Sequence, residues 1–254
     1  SITQTPLNEQ DLKTMSEAVE VLRQFKGFSY FTEMSDIINR LEDHVASARM
    51  KTTPVIDFEK NESLKGLDYL DTIYHAIVNE HPIQLKYRSF KARSANSFIF
   101  YPYLLKEYRN RWFVYGVRGN GRILQNLALD RIQSLEVLPQ EHYIKNTFFD
   151  PNTFFDDLVG VTKNTGSVAE KVGFKVAAAE APYIITKPIH RSQQVMERLA
   201  DGSVILEIEV VINHELERVF FGYAEGIQVL YPKTLVELMG RKLKKAAEQY
   251  THSK

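Results

Sequence analysis

The chain has 254 residues and a formal net charge of zero, with 44% hydrophobic and 25% charged residues, the profile of an ordinary folded protein with room for two domains. It contains no cysteine, which excludes disulfides, thiolate metal sites and cysteine nucleophiles and fits a reducing compartment. The first residues carry neither a basic n-region nor an apolar h-region, and no apolar run approaches the ~20 residues of a membrane helix, so the expectation is a cytoplasmic protein without signal peptide or membrane span.

Residues 8–50 read as two helices. After a capping Asn8, Leu12, Met15, Ala18, Val19, Leu22 and Phe25 recur at helical spacing, and Gly27 ends the run. Met34, Ile37, Ile38, Leu41 and Val45 form the apolar face of the second helix. Residues 51–65, with Thr52-Thr53-Pro54, read as a linker, and the whole of 1–63 is expected to be a helical linker and dimerisation segment. A third helix covers Leu67–Asn79 and is stopped by Pro82.

Five strand signals follow: Ile83–Ser89, Ser97–Leu105, Arg111–Arg118, Arg122–Leu129 and Arg131–Val137. Turns are expected at Ser94-Ala95-Asn96 and at Arg118-Gly119-Asn120-Gly121, where Asn-Gly is a strong hairpin signal. One helix followed by five short strands predicts an Sm-like, SH3-type small β-barrel over 64–140, a form that closes its edges and exposes loops and a strand face for binding. Residues 141–166, with a Phe/Asp-rich centre, read as a connector.

The remainder, 167–254, alternates differently. A strand at Lys171–Ala178 precedes a short helix at Ala179–Ile185. Strands at Gln193–Leu199 and Val204–Val211 flank the Asp201-Gly202 turn, and Val204, Leu206, Ile208 and Val210 share one face. Helix His214–Tyr223, strand Ile227–Leu230 and a terminal helix Lys233–Tyr250 complete the chain. This βαββαβ order predicts a ferredoxin-like α+β domain with one helix appended. The fold class is therefore α+β: an N-terminal helical segment, a small barrel and a ferredoxin-like domain.

Charge is segregated within this plan. Between Pro82 and Gln133 ten cations (Lys86, Arg88, Lys91, Arg93, Lys106, Arg109, Arg111, Arg118, Arg122 and Arg131) face only Glu107 and Asp130. Ten aromatic residues are interleaved with them, among them Tyr87, Phe90, Phe98 and Trp112, the single tryptophan of the chain. Strands favour aromatics whatever their function, and cations also keep a surface soluble. Yet arginine dominates here, and its planar fork binds phosphate bidentately and stacks on rings. A concentrated cationic field with aromatic platforms points to an anion, foremost single-stranded nucleic acid or a nucleotide.

Catalytic signals are missing from the sequence. The seven histidines are dispersed without metal-ligand spacing, and there is no phosphate-binding loop, Gly-x-Gly-x-x-Gly or Gly-x-Ser-x-Gly motif. Asp156-Asp157 reads as solvated or capping carboxylates. The expectation is a protein without enzymatic activity, metal or cofactor.

At the basic segment the sequence resembles a known family. Phe100-Tyr101-Pro102-Tyr103-Leu104-Leu105, Asn110-Arg111-Trp112-Phe113-Val114-Tyr115-Gly116 and Leu127-Ala128-Leu129-Asp130-Arg131-Ile132 resemble the WYL domain. Trp112-Phe113-Val114 stands where the family has Trp-Tyr-Leu, a departure that removes a tyrosine hydroxyl. Leu85-Lys86-Tyr87-Arg88-Ser89 looks like the family's first strand. Residues 165–252 are similar to the WCX extension, on Pro188-Ile189-His190-Arg191-Ser192-Gln193, Phe221-Gly222 and Ile227-Gln228-Val229-Leu230-Tyr231-Pro232. The helices before residue 64 look like the linker that in the family follows a winged helix-turn-helix, although no such module is visible in the sequence.

The resemblance implies the ligand-sensing and oligomerisation part of a bacterial transcriptional regulator, a homodimer, reaching DNA through an upstream helix-turn-helix if the full-length protein has one. It implies a nucleic-acid or nucleotide pocket at Tyr87, Ser89, Arg122 and Arg131, with Arg111 and Arg118 extending the path. Arg122 and Arg131 would clamp phosphate, Ser89 would donate to it, and Tyr87 would stack or donate. For Asp130-Arg131 the alternative is a local salt bridge that closes the barrel. Trp112, Phe113 and Val114 read as barrel core. Two alternatives stand beside the whole reading: a constitutive single-stranded RNA- or DNA-binding Sm-like protein, and a pure dimerisation scaffold.

Overall fold

The computed structural model describes residues 65–119, 121 and 123–251. The two helices expected over 8–50 and nearly all of the linker after them lie outside the described residues, as do Asn120 and Arg122. Two units are distinguished, Ser1–Asn146 and Thr147–Lys254; residues 141–166, the expected connector, divide between them.

In the first unit a 3-10 turn at Leu67–Tyr69 leads into helix α1 (Leu70–Val78). Leu70, Ile73 and Ala76 are buried on one face of α1 and pack against Ile83, Leu85, Phe100, Val114, Leu127, Leu129 and Ile132. All of these but Leu129 lie on five strands: β1 (Ile83–Tyr87), β2 (Asn96–Tyr108), β3 (Arg111–Arg118), β4 (Leu124–Ala128) and β5 (Ile132–Val137). The sheet order is β4-β3-β2-β1-β5, antiparallel throughout. Val114 is fully buried and Trp112 packs partly buried on the core.

β2 runs to Tyr108, beyond the expected Leu105, because Arg109 and Asn110 both take left-handed φ (49° and 59°) and close a two-residue hairpin to β3. The first half of β2 pairs with β1 and the second with β3, with a register shift between Pro102 and Leu104. At that crossing a Cβ on Gly116 would stand 2.1 Å from the Tyr101 carbonyl oxygen, so only glycine fits. Tyr143 donates a hydrogen bond to the Pro102 carbonyl and meets Tyr101 and Tyr103 edge-on, fastening residues 141–146 to the bend. Burial, with Tyr101 next to it, pushes the Tyr103 hydroxyl up to about 12.

The closed barrel expected from the strand spacing is not formed. Laid flat, five strands spaced ~4.8 Å would put β4 roughly 19 Å from β5. The chain passes from Ala128 to Ile132 through one 3-10 turn, Leu129–Arg131, which spans about 14 Å at most. The sheet therefore curls, but β4 pairs with β3 and β5 with β1, and among the described residues no ladder joins β4 to β5. The seam backbone is engaged elsewhere: the Arg131 carbonyl accepts from the Arg88 N–H at 3.2 Å.

The second unit is also mixed α+β. It contains β6 (Glu170–Val176), α2 (Ala181–Thr186), β7 (Gln194–Arg198), β8 (Val204–Val210), α3 (His214–Gly222), β9 (Ile227–Tyr231) and α4 (Lys233–Thr251). The antiparallel order is β7-β8-β6-β9. Alternation in β8 buries Val204, Leu206, Ile208 and Val210 together with Val172, Phe174, Leu216 and Phe220. Phe174 and Phe220 meet with ring centroids 5.1 Å apart. Asn213 caps α3: its Oδ1 accepts from the Leu216 N–H at 2.9 Å, and its Nδ2 donates to the Val159 and Thr162 carbonyls. α4 buries Leu235 and Met239 and is exposed from Arg241 onward.

Candidate nucleic-acid interface

The short 3-10 turn between β4 and β5 positions the centre of the candidate site. Gly66 holds that turn: its φ is +85°, and a Cβ there would lie 2.4 Å from the Leu129 carbonyl carbon and 2.7 Å from the Asp130 N. Leu129 is buried in the core below, which leaves the next two side chains, Asp130 and Arg131, at the seam.

Asp130 stands between two guanidinium groups. Arg111 Nε, from the start of β3, is 3.3 Å from its Oδ2. Arg131 Nε is 4.0 Å from its Oδ1, which is ionic contact but too long for a hydrogen bond. Both of those last atoms are shielded from solvent and neither has a hydrogen-bond partner. Leaving such atoms unsatisfied costs about 1–3 kcal/mol each; the Arg131 side chain as a whole remains 27% exposed.

Tyr87, at the end of β1, stands opposite Ile132 in the β1–β5 pairing. Its hydroxyl has the Arg131 guanidinium and the Ala128 backbone as hydrogen-bonding neighbours. Burial pushes that hydroxyl above its ordinary pKa against the pull of Arg131, so at neutral pH it remains a protonated phenol. Ser89 is half-buried, and its carbonyl accepts from the Ala92 N–H at 3.0 Å to close a turn that carries Phe90 and Lys91 at its tip.

The structure thus brings Tyr87, Arg111 and Arg131 together and places Ser89 in the loop that follows Tyr87. It does not bring Arg118 to them. Arg118 ends β3, about 23 Å along the strand from Arg111, where its guanidinium lies 4.1 Å over the Phe98 ring. Arg122 lies outside the described residues.

Two participants do not emerge from sequence reasoning. Asp130 is there at most a local partner of Arg131, yet in space its carboxylate lies between two arginines. Phe90 is one aromatic among ten; in space the Arg131 guanidinium lies 4.4 Å over its ring while the residue remains 71% exposed. An isolated aromatic between Arg88 and Lys91, in a loop and not a strand, is the signal that separates it from the core aromatics.

Elsewhere the conspicuous polar residues are paired with one another. Asp156 meets Arg191 at 2.7 Å and Asp157 meets Lys163 at 2.8 Å. Among the described residues no three His, Cys, Asp or Glu side chains gather as a metal site, and no helix is long and apolar enough to cross a membrane.

A mixed α+β chain whose cationic seam precedes a second antiparallel domain defines a class of two-domain proteins. Residues 68–137 match the family model described as WYL domain, and residues 169–247 match that described as WCX domain. Together the two cover more than half of the chain, which belongs to the WYL-domain family in the arrangement where WCX follows WYL. No curated protein matches the chain. Among solved structures it is similar to proteasome accessory factor B/C (PafBC) of Arthrobacter aurescens, at 15% identity over 83% of this chain and 30% of that one, with a TM-score of 0.29. It is also similar to a CRISPR Cas-related protein, at 13% identity over 73% of this chain and 53% of that one, with a TM-score of 0.45. The chain spans less than two thirds of either.

Proposed function

We propose that this chain is the ligand-sensing and oligomerising part of a cytoplasmic WYL-type transcriptional regulator, non-enzymatic, whose ligand is a single-stranded nucleic acid or a nucleotide. The observation that carries this reading is the seam at Asp130. There Arg111 and Arg131 flank one carboxylate while their side chains stay 46% and 27% exposed, so both guanidinium groups present a face to an incoming anion. A phosphate oxygen is the acceptor such a guanidinium best fits, because the planar fork matches it bidentately. Tyr87, protonated and next to Arg131, supplies a donor at the same place.

Fold details agree with the reading. The curled β4-β3-β2-β1-β5 order with a 3-10 turn between its edge strands supports an Sm-like relationship for the first sheet. The β7-β8-β6-β9 order, with α2 and α3 as its crossovers, supports a ferredoxin-like one for the second. In this reading the chain acts as a homodimer, and ligand at the seam biases one of two arrangements of the pair, moving a helix-turn-helix module upstream.

The test is fluorescence anisotropy of short labelled single-stranded DNA and RNA at low and near-physiological salt, with competition by mononucleotides. Wild type should bind with a negative salt slope, and Arg131→Ala should weaken binding tenfold or more. Removing one phosphate-binding cation should flatten the log–log slope by about 0.7. Binding that Arg131→Ala and Arg111→Ala both leave unchanged would remove the seam as the site.

A further inference from the structure

We propose that Phe90 is a base-stacking platform: a base of a single-stranded nucleic acid lies on its open face while Arg131 covers the other, giving a guanidinium–phenyl–base stack. This rests on the reading that the seam takes nucleic acid, and it adds the residue that would contact a base and not a phosphate.

The placement of Phe90 is built. The Arg88 N–H donates to the Arg131 carbonyl at 3.2 Å, which ties the loop to the 3-10 turn. The Ala92 N–H donates to the Ser89 carbonyl at 3.0 Å, which fixes Phe90 at the corner of a tight turn. The Arg131 guanidinium then lies 4.4 Å over the ring centroid. Two backbone hydrogen bonds fix the loop and one guanidinium contact meets the ring, while Phe90 as a residue remains 71% exposed, so the loop itself has little ordering left to lose when a flat ligand settles on it.

The surroundings select the ligand class. Arg88, Lys91 and Arg93 in the same loop are all exposed, and Arg111 is half-exposed nearby on Asp130. An apolar protein partner would call for a contiguous apolar patch, whereas this ring stands among cations. Cations at phosphate reach together with one free π-face are what a single strand recognises, because every base presents a flat face whatever its sequence. Arg131 joins the two tasks: its guanidinium braces the ring by a cation–π contact, and its side chain, 27% exposed, stands beside Asp130 at the cationic seam.

The experiment uses the intact chain and two labelled ligands of equal length, oligo-dT and an abasic deoxyribose-phosphate oligomer, across a salt series. Phe90 is exposed, so its replacement should leave the fold intact. Phe90→Ala and Phe90→Leu should each weaken oligo-dT binding roughly 5- to 100-fold, the range of one base–aromatic stack, with the salt slope unchanged because every phosphate-binding cation is still present. Phe90→Tyr, which keeps the ring, should retain affinity. The abasic oligomer should bind wild type more weakly than oligo-dT does and be indifferent to Phe90→Ala. Oligo-dT affinity that falls with Arg131→Ala but is untouched by Phe90→Ala and Phe90→Leu would overturn the stack and leave the seam standing. A wild type that binds neither oligomer would overturn both.

Discussion

The first unit gathers Arg111 and Arg131 around Asp130 and leaves two shielded polar atoms there without hydrogen bonds. The second unit uses its buried polar groups to fasten itself. Asn213 commits its Oδ1 to the Leu216 N–H and its Nδ2 to two carbonyls. Glu217 is paired with Lys242, and Glu207 takes both the Tyr231 hydroxyl at 2.7 Å and Lys171 at 3.1 Å. Glu215 is the exception: its Oε1 accepts from Thr162 at 2.7 Å while its Oε2 has no hydrogen-bond partner. Polar groups satisfied within the fold contribute to stability; the part-exposed arginines of the first unit carry the proposed recognition. Substitutions should therefore separate the two units by what they disturb.

The largest expected effect is at Gly66. Gly66→Ala combines a left-handed φ of +85° with a Cβ 2.4 Å from backbone, and should cost about 3 kcal/mol or more. It should also shift the Asp130-Arg131 turn, so both the urea midpoint and oligonucleotide affinity should fall. Next comes Asn213→Ala. It removes a helix cap and two donors to partly or fully buried carbonyls, a loss of about 2–3 kcal/mol. Here the urea midpoint should drop while oligonucleotide affinity stays at the wild-type value; a parallel loss of binding would break the separation of roles.

A smaller, opposite effect is expected at Asp130. Asp130→Asn keeps the shape and removes the carboxylate that competes with phosphate for Arg111 and Arg131. Affinity at low salt should rise about threefold or more, and the gain should shrink as salt screens it. Reduced affinity would assign Asp130 to orienting the arginines and not to competing for them.

The smallest effect concerns pH. Burial, and then Arg191 beside it, hold the His190 imidazole below its ordinary value of 6.5. On acidification the unfolded chain takes up this proton before the folded one does. The His190 contribution is therefore fully retained above about pH 6.5 and is lost as pH falls toward the lowered folded value. His190→Gln should flatten the fall in urea midpoint between about pH 7.5 and 5.5, the range around the ordinary imidazole value, and leave oligonucleotide binding at neutral pH unchanged.

Much of the strand pattern is legible because it is written locally. In β8 the alternation of Val204, Leu206, Ile208 and Val210 with Glu207 and Glu209 requires no distant partner to interpret, and the observed burial follows it. In α1 and the turn before it, helical spacing picks out Leu67, Leu70, Ile73, Tyr74 and Ile77, and of these Leu70 and Ile73 are buried, with Ala76 beside them. The extension of β2 to Tyr108 is not legible, because it depends on an arginine accepting a left-handed φ that its residue type disfavours. The open seam is also hidden, since closure depends on how far a sheet curls and on which backbone groups the Leu129–Arg131 turn consumes.

The candidate site divides in the same way. Its chemistry, an arginine-rich aromatic segment in a neutral chain, follows from residue types alone, as does the family to which that segment belongs. Which arginines act together follows only from the folded chain. Arg111 reaches Asp130 because β3 and β4 pair in register from Phe113↔Ala128, and Tyr87 reaches Arg131 because β1 pairs with β5 at Ile132. The same pairing sends Arg118 to the far end of β3, over Phe98. Charge and ring type are properties of single residues, but proximity between distant residues is set by strand register and sheet curl, which no local stretch of sequence contains.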